Sequence, residues 1–199
     1  MFNKQLMITV FNNLLSQSKK SYDEFNTADG RIGDGDLGIT ILNGLEEIDR
    51  NISKFTDDLG ANFMLCSQAF VKKSGSSFGT LIAFSFMNIS KNLNGRNTCD
   101  HEDIITMIDT AMSTIQERGK TKVGDKTILD TLVFISKNLK ANKDNINYPK
   151  LFKSSTKEAL NAFKGKKIVI GRARMFEDKT KDLDDPGMLA LYKLSEVFR

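Results

Sequence analysis

The sequence contains few of the residues that build disulfide, zinc and histidine-based catalytic sites. Its two cysteines, Cys66 and Cys99, are far apart and show no C-x-x-C spacing, and His101 is its only histidine. This composition predicts neither a disulfide framework nor a zinc centre, and it favours a reduced, cytoplasmic protein. Because His101 lies at the start of a predicted helix, we interpret it as a bystander and not as a catalyst.

Long apolar runs are also missing. No run approaches the roughly 18 apolar residues that a membrane-spanning helix needs, and polar Asn12 and Gln17 interrupt the N-terminal stretch, so we expect neither a membrane span nor a signal core. The net charge of +4 is mildly basic, but Lys164, Lys166 and Lys167 have no aromatic platform or nucleic-acid reading motif beside them. We expect no nucleic-acid partner, and a basic surface of this kind suits phosphorylated or acidic partners.

Apolar residues recur at helical intervals through most of the chain, with Asp100 as a predicted N-cap and Pro149 and Pro186 in predicted first turns. The apolar run from Leu81 to Met87 also fits a buried strand, but its length without a hairpin signal favours a helix. The strand-like stretch from Ile168 to Ile170 is too isolated to build a sheet. We therefore predict an all-α fold, a barrel or bundle of about eight antiparallel amphipathic helices. The predicted single domain covers residues 1–199, with helices over about 2–20, 41–52, 57–71, a stretch from 81, 100–117, a stretch ending near 139, 149–164 and 186–198.

The stretch DGRIGDGDLG, from Asp29 to Gly38, has three aspartates and four glycines within ten residues. A glycine-flexed turn can bring the carboxylates of Asp29, Asp34 and Asp36 towards one point, where their mutual repulsion is costly without a cation. Oxygen ligands of this type suit Mg²⁺ or Ca²⁺, and Mg²⁺ commonly completes its shell with water and phosphate oxygens. The stretch therefore indicates a cation site, with a solvated acidic turn as the alternative.

Two other motifs overlap this stretch, and both fit poorly. Gly33, Gly35 and Gly38 match the G-x-G-x-x-G dinucleotide fingerprint, but no apolar strand precedes them and two aspartates inside the motif would repel a pyrophosphate. Counted from Asp29, the acidic residues stand at positions 1, 6 and 8, whereas an EF-hand loop needs positions 1, 3 and 5.

Two further glycine-rich loops open predicted helices. In an antiparallel assembly alternate loops lie at the same end, so loops that are distant in sequence can converge on one ligand. The loop from Gly75 to Thr80 offers hydroxyls and backbone N–H groups that suit phosphate oxygens, although ordinary helix capping explains the same residues. The loop from Gly119 to Thr127 places Ile128 where it can cover an apolar base, with Asp125 as a candidate helix cap.

A fourth loop runs from Gly171 to Gly187. It supplies Arg172, a cation suited to phosphate charge, and an acidic turn at another helix start, although Arg174 fits a plain surface position equally well. A carboxylate cluster, a phosphate loop, a base-covering loop and an arginine are together more specific than any one of them alone.

With these motifs in place, the chain resembles the L subunit of bacterial dihydroxyacetone kinase, which is equivalent to the nucleotide-binding domain of the single-chain kinases. The resemblance covers nearly the whole length through IGDGDLG with the preceding Asp29, SGSSFGT, GKTKVGDKTILD, and GRA followed by DPG. It implies a barrel of about eight helices that binds ADP or ATP at one end with two Mg²⁺ ions. By motif position it implies Asp29, Asp34 and Asp36 as metal ligands and, together with Arg172, as the catalytic groups. The implied nucleotide-binding positions are Leu37, Gly38, Ile39, Thr40, Ser76, Ser77, Phe78, Gly119, Ile128, Arg172, Asp185, Pro186 and Gly187.

The resemblance also implies partners. The sugar, dihydroxyacetone or a similar short ketose, is expected on a histidine of a separate K subunit, and a phosphotransferase-system phosphocarrier, the M-type subunit, is expected to recharge bound ADP. A chain of 199 residues without an attached sugar-binding domain fits that arrangement. The sequence leaves the oligomeric state open, a homodimer included.

Several positions depart from the family pattern. The acidic loop normally reads GDxDHG, and here Leu37 replaces its histidine; Phe78 replaces a serine, and Ile39 and Thr40 replace a more polar pair. A lost hydrogen bond to a charged phosphate oxygen costs ~1.5 to 3 kcal/mol. The alternatives to a phosphotransferase subunit are therefore a nucleotide-binding regulatory protein that has lost catalysis and a kinase subunit for another substrate such as a fatty acid.

Overall fold

Eight α-helices dominate the part of the chain that the structure describes. They are seen in a computed structural model that describes residues 1–73, 75–144 and 146–197. The predicted all-α fold is confirmed, and the run from Leu81 to Met87 is helical. The helices are α1 (Lys4–Gly30), α2 (Leu37–Asn51), α3 (Leu59–Lys73), α4 (Ser77–Asn92), α5 (His101–Gly119), α6 (Ile128–Ala141), α7 (Tyr148–Ala162) and α8 (Pro186–Ser195). Two 3₁₀ helices span Ile52–Lys54 and Arg172–Thr180, and the two-residue strands β1 (Phe2–Asn3) and β2 (Thr98–Cys99) pair antiparallel.

The first two helices extend further than the sequence predicted. Helix α1 continues beyond Lys20 to Gly30 because small polar residues carry its packing face, with Ser18 and Ser21 buried before Phe25. Helix α2 begins at Leu37, so only residues 31–36 form the turn between them. The acidic stretch is therefore the junction of two helices, which fixes it more firmly than a free loop. At the other end of the chain, the predicted helix end at Phe198 lies outside the described residues.

Reciprocal side-chain hydrogen bonds fix two helix starts. The predicted N-cap Asp100 accepts a 2.9 Å hydrogen bond from the Asp103 N–H, and the Asp103 carboxylate accepts one from the Asp100 N–H, which confirms this cap. Helix α6 has the same arrangement with Thr127 as the cap and Asp130 as its partner. The candidate cap Asp125 was wrong, because its carboxylate instead accepts from the Lys122 N–H at 2.9 Å within the preceding turn.

The helices run up and down in sequence order and form a closed ring. Each helix packs against the next, and α8 packs back against α1, where Lys193 and Glu24 form an ion pair at 3.0 Å. The connections α1–α2, α3–α4, α5–α6 and α7–α8 lie at one end, where residues from all four line one cleft. The expectation that alternate loops converge is therefore met, and helices α2, α4, α6 and α8 all begin at this end.

The core contains a cluster of phenylalanines, and the end of the helical ring opposite the cleft contains none of the predicted site residues. Phe86 lies among the rings of Phe11, Phe63 and Phe70, with ring centroids 5.8 to 6.1 Å apart. His101 contacts the Tyr148 hydroxyl at 2.9 Å and a backbone carbonyl of α6 at 3.1 Å, so it joins three helices away from the cleft. Across the described ranges, no helix is both long enough and apolar enough to traverse a bilayer.

Candidate functional site

A cleft of about 1030 Å³ opens at the end of the ring where the α1–α2, α3–α4, α5–α6 and α7–α8 connections meet. This volume is at the upper end of the range for small-molecule sites. Thirteen of the sequence-predicted site residues line it. They are Asp29, Asp34, Asp36, Leu37, Ser76, Ser77, Phe78, Gly119, Ile128, Arg172, Asp185, Pro186 and Gly187.

Three aspartates form one wall of the cleft. One carboxylate oxygen from each of Asp29, Asp34 and Asp36 lies within 4.8 Å of the others. The last turn of α1 holds Asp29, whose side chain accepts a 3.0 Å hydrogen bond from the Asp36 N–H across the turn. The turn leaves no space for a side chain at Gly33, where a Cβ would lie 2.4 Å from the Asp29 Oδ1, and Gly35 takes a left-handed φ of 75°. The backbone therefore holds the three carboxylates together in spite of their repulsion.

The charges in this wall are unevenly balanced. Desolvation, followed by the neighbouring charges of Asp34 and Asp29, raises the pKa of Asp36. A hydrogen bond from Arg172 lowers the pKa of Asp34, and the two side chains form an ion pair through Nη1 and Oδ2. One arginine thus offsets part of the charge of three aspartates. Three converging oxygen donors with excess negative charge fit a hard divalent cation such as Mg²⁺.

A second wall, next to the first, begins at the N-terminus of α4. Ser76 caps this helix by accepting a 3.1 Å hydrogen bond from the Gly79 N–H, and the Thr40 hydroxyl donates to the Ser76 Oγ at 2.9 Å. Because α2, α4, α6 and α8 all begin at the cleft, the positive ends of four helix dipoles lie around it. Unpaired N–H groups at helix starts bind anions, so this end combines features for a cation with features for an anion.

An apolar slot lies where α4, α6 and α8 begin. Gly187 is buried, and a Cβ there would come 3.3 Å from the Phe78 ring and 3.5 Å from the Ile128 Cβ. The absence of a side chain lets α8 approach α4 and α6 closely. The slot gives the flat face of an aromatic ligand an apolar surface to contact.

Three residues that the resemblance implied as nucleotide contacts do not line the cleft. Gly38 lies against α1, where its N–H donates to the Asn26 Oδ1 at 2.7 Å and a Cβ would lie 2.4 Å from the Tyr22 carbonyl oxygen. Ile39 is 44% exposed, and the Thr40 hydroxyl is connected to the site by its hydrogen bond to Ser76. In the structure Gly38 allows α2 to pack closely against α1. The sequence alone did not distinguish this packing role from a contact with the ligand.

Other cleft residues had no signal strong enough for the sequence to identify them. The guanidinium of Arg118 lies 4.2 Å from the centre of the Phe84 ring, and both side chains line the cleft. Arg118 precedes Gly119 in the last turn of α5, but only the fold brings it beside α4. Arg174 also lines the cleft. From the sequence, a plain surface position suits this residue as well as a role beside phosphate.

Asp185 has a structural role as well as a place in the cleft wall. Its Oδ1 accepts a 2.9 Å hydrogen bond from the Met188 N–H and so caps α8. Burial raises the pKa of Asp185 to about 7, although backbone hydrogen bonds from α8 act in the opposite direction. The carboxyl group therefore caps α8 from a position whose burial disfavours its charged form.

Fold and site together define a class of protein: a closed ring of antiparallel helices with an acidic cluster, helix N-termini and an apolar slot at one end. The chain belongs to the DAK2 domain family, whose model matches residues 31–199.

Relatives of this chain include subunits named for ADP binding. The chain is 30% identical over 166 residues to the PTS-dependent dihydroxyacetone kinase ADP-binding subunit DhaL of Lactococcus lactis, covering 81% of this chain and 80% of that protein. It is 29% identical over 130 residues to the PEP-dependent dihydroxyacetone kinase 1 ADP-binding subunit DhaL of Listeria innocua, covering 65% of each. It is also 29% identical to a probable dihydroxyacetone kinase of Dictyostelium discoideum, with 98% of this chain covering 32% of that protein. The chain thus spans just under two thirds of the Listeria relative and about a third of the Dictyostelium relative.

Solved structures give the same fold. The chain matches the crystal structure of the native dihydroxyacetone kinase of C. freundii with a TM-score of 0.75 at 18% identity, over 97% of this chain and 34% of that one. It also matches the structure of that enzyme in complex with AMP-PNP and Mg²⁺, with a TM-score of 0.73. These matches agree with the helical ring described above.

Proposed function

We propose that this chain is the nucleotide-binding subunit of a phosphotransferase of the dihydroxyacetone kinase type, with Mg²⁺ and ADP or ATP in the cleft. The observation that carries this proposal is the convergence of Asp29, Asp34 and Asp36, with Arg172, at the end where four helices begin. The names of the DhaL relatives and the AMP-PNP complex of the C. freundii enzyme support the same ligand.

The residues divide the work by their chemistry. Bound Mg²⁺ neutralises charge on the terminal phosphates and orients them for in-line transfer. The three aspartates hold the cation, and the Ser76 and Ser77 region at the start of α4 offers donors to phosphate oxygens. Phe78, Ile128 and Gly187 form the surface that packs against the base.

Arg172 exchanges partners in this proposal. Without ligand its guanidinium pairs with Asp34, so it occupies the space beside the acidic cluster. With a cation held by the three aspartates, Asp34 would be one of its ligands and the Arg172 guanidinium would be available to a phosphate oxygen. Positioning and charge neutralisation of this kind are the main protein contributions to phosphoryl transfer, and no nucleophile on this chain is needed.

The finer parts of the proposal concern the partners. We propose that the acceptor is dihydroxyacetone or a similar short ketose held by a K subunit, and that an M-type phosphocarrier recharges the bound ADP in the cytoplasm. The words PEP-dependent and PTS-dependent in the names of the relatives support this route. Mixing the purified chain with K and M subunits and a phosphocarrier system, then measuring phosphorylated ketose, tests it; no product beyond that of the mixture without this chain argues against it.

The site itself is tested by titrating ADP into the protein with and without Mg²⁺. We expect Mg²⁺-dependent binding that falls by roughly 100-fold or more in Asp34→Asn, because a ligand to the metal is lost. Asp57→Asn is the matched control, since it also removes an exposed carboxylate from an ion pair, with Lys4 at the far end of α1. Unchanged affinity in Asp34→Asn would sink the proposal, and the stoichiometry of bound Mg²⁺ tests the proposed two ions.

A regulatory protein that binds nucleotide without turnover is the second candidate. Leu37 and Phe78 favour it, because they place apolar side chains in the cleft wall where the family pattern has polar ones. Leu37 is 4% exposed and packs into the core, so a polar side chain there would have to be accommodated by the neighbouring helices. Phosphate transfer with a cognate K subunit rules this candidate out.

A further inference from the structure

A buried lysine lies behind the cleft and is not part of its lining. Lys126 is 1% exposed, and its ammonium is surrounded by main-chain oxygens. Nζ donates to the carbonyl oxygens of Leu183 at 2.7 Å, Lys166 at 2.8 Å and Thr180 at 3.1 Å, with that of Lys181 at 3.5 Å. Three short contacts match the three protons of an ammonium group. A buried cation with this many carbonyl partners has a defined structural task.

Its partners lie on the two stems of one loop. We call residues 166–183 the arginine loop, because Arg172 lies within it between the stems. The loop contains no α-helix, only the 3₁₀ segment Arg172–Thr180 with a kink at Glu177, so its own hydrogen bonds define it weakly. Lys166 belongs to one stem, and Thr180 and Leu183 belong to the other. A single ammonium therefore ties the loop closed at its base.

Other contacts also join these stems to each other or to the α5–α6 connection, and one of them is the ion pair between Lys167 and Asp178. The Ile168 N–H donates to the Thr180 hydroxyl at 2.9 Å, and the Gly165 N–H donates to the Lys181 carbonyl at 3.2 Å. The Val169 N–H donates to the Asp125 carbonyl at 3.4 Å. Each of these bonds joins two segments, whereas the Lys126 ammonium joins both stems and the α5–α6 connection at once.

The backbone at Lys126 indicates that this placement is imposed by the fold. Its φ is +62°, a left-handed conformation that is unfavourable for a residue with a Cβ. Such a conformation persists only where surrounding contacts hold it, and strained positions of this kind concentrate near functional sites. The carbonyl oxygens of the arginine loop are the contacts that hold it here.

We propose that Lys126 is a positioning residue that closes the base of the arginine loop and thereby holds Arg172 beside the acidic cluster. It acts through Arg172 and does not touch the ligand. This inference rests on the proposed function only for its effect on nucleotide binding; its structural part stands without any ligand.

Hydrogen–deuterium exchange of the ligand-free protein tests the structural part. In Lys126→Met, which keeps the side-chain length and removes the charge and donors, we expect backbone exchange in residues 166–183 to increase by about tenfold or more while the helices keep their protection. Lys120→Met is the matched control, because Lys120 lies in the same connection with a φ of +51° but has an exposed side chain. Unchanged exchange in the arginine loop of folded Lys126→Met would overturn the proposal.

A second variant covers the case in which Lys126→Met does not fold. Lys126→Gln is shorter but keeps two N–H donors, so we expect a smaller increase in exchange confined to residues 166–183. Exchange at the wild-type level throughout this loop would contradict the proposal in the same way.

A double-mutant cycle tests the link to Arg172. We expect Lys126→Met to weaken Mg²⁺-ADP binding by about tenfold in the wild-type background and by less than about twofold in Arg172→Met, because both changes remove the same contact. Equal losses in the two backgrounds would show that Lys126 acts on stability alone and would overturn the positioning role. If the wild-type chain does not bind Mg²⁺-ADP, the proposed function fails, and the exchange experiment still decides whether Lys126 closes the loop.

Discussion

The two ends of the helical ring differ in how fully their charged and polar groups are paired. At the far end, which holds the β1–β2 pair and the α2–α3 connection, polar groups bond to one another. The buried Asn62 side chain accepts from the Thr56 N–H at 2.9 Å and donates to the Thr56 carbonyl at 2.8 Å, and Arg96 pairs with Asp103. At the cleft end, three aspartates converge and one arginine offsets only part of their charge.

Backbone strain follows the same division. Among the described residues, the non-glycine positions with positive φ are Lys120, Lys126 and Glu177, and all three lie in the connections of the cleft end. Strain and unbalanced charge both reduce stability, and positions of this kind concentrate at functional sites. The comparison shows that the far end pairs its polar groups with one another, whereas the cleft end holds backbone strain and excess negative charge.

The largest expected effect is a loss of ADP affinity that occurs in a cleft-end variant and not in a far-end variant. In Asp36→Asn we expect Mg²⁺-dependent ADP affinity to fall by roughly 100-fold, because one carboxylate ligand is lost, while the thermal midpoint without ligand stays the same or rises as repulsion is relieved. Calorimetric titration and thermal unfolding measure the two quantities. Asp58→Ala at the far end is the control: it removes the acceptor for the Ala61 and Gly95 N–H groups, so it should lower stability by ~1 kcal/mol and leave affinity unchanged. A fall in ADP affinity with Asp58→Ala would contradict the prediction that far-end residues affect stability and not binding.

The converse change is expected at the far end. Asn62→Ala removes the fully buried amide that bonds both the Thr56 N–H and the Thr56 carbonyl, which should cost about 1 to 3 kcal/mol of unfolding free energy. Urea denaturation measures the loss. Affinity for Mg²⁺-ADP at a temperature where the variant is folded should equal that of the wild type. A stability change near zero would mean that the far end is less tightly satisfied than its geometry indicates.

A smaller effect is expected from restoring polarity in the cleft. Phe78→Ser returns a hydroxyl to the start of α4 and removes a ring from the surface proposed to face the base. We expect the new donor to a phosphate oxygen to outweigh the lost contact, so that ADP affinity increases by up to tenfold, ~1.4 kcal/mol. Titration with Mg²⁺-ADP measures the change. Weaker binding would instead show that the Phe78 ring, which packs beside Gly187 and Ile128, contributes more to the ligand than a hydroxyl can.

The smallest effect concerns the pH dependence of stability. The pKa of Asp185 is raised from 3.8 to about 7, so the folded state binds this proton more tightly than the unfolded state. The contribution of Asp185 to stability is therefore fully present below pH 3.8 and declines as the pH rises towards about 7. We expect Asp185→Asn to lack this decline, by on the order of 1 kcal/mol after solvent screening. Urea denaturation across this range measures it, with the exposed neighbour variant Asp184→Asn as the control; parallel wild-type and Asp185→Asn curves would contradict the prediction.

Some features were predictable because they depend on residues that are close together in the sequence. Asp29, Asp34 and Asp36 lie within eight residues of one another, so a glycine-rich turn was enough to predict that their carboxylates converge. The predicted cap at Asp100 is local too, because a capping side chain reaches only the next turn. Gly38 was different: its neighbours Tyr22 and Asn26 lie in α1, so its packing role depends on how two helices approach each other.

The sequence by itself determined the helical class, the alternation that brings four connections to one end, and the acidic turn, because periodicity, caps and glycine spacing are local properties of the chain. Tertiary structure alone decided that Arg172 pairs with Asp34, that Arg118 lies over Phe84 and that Lys126 closes the arginine loop. Each of these contacts joins separate connections or helices, and their strength depends on burial and distance, which no local pattern encodes.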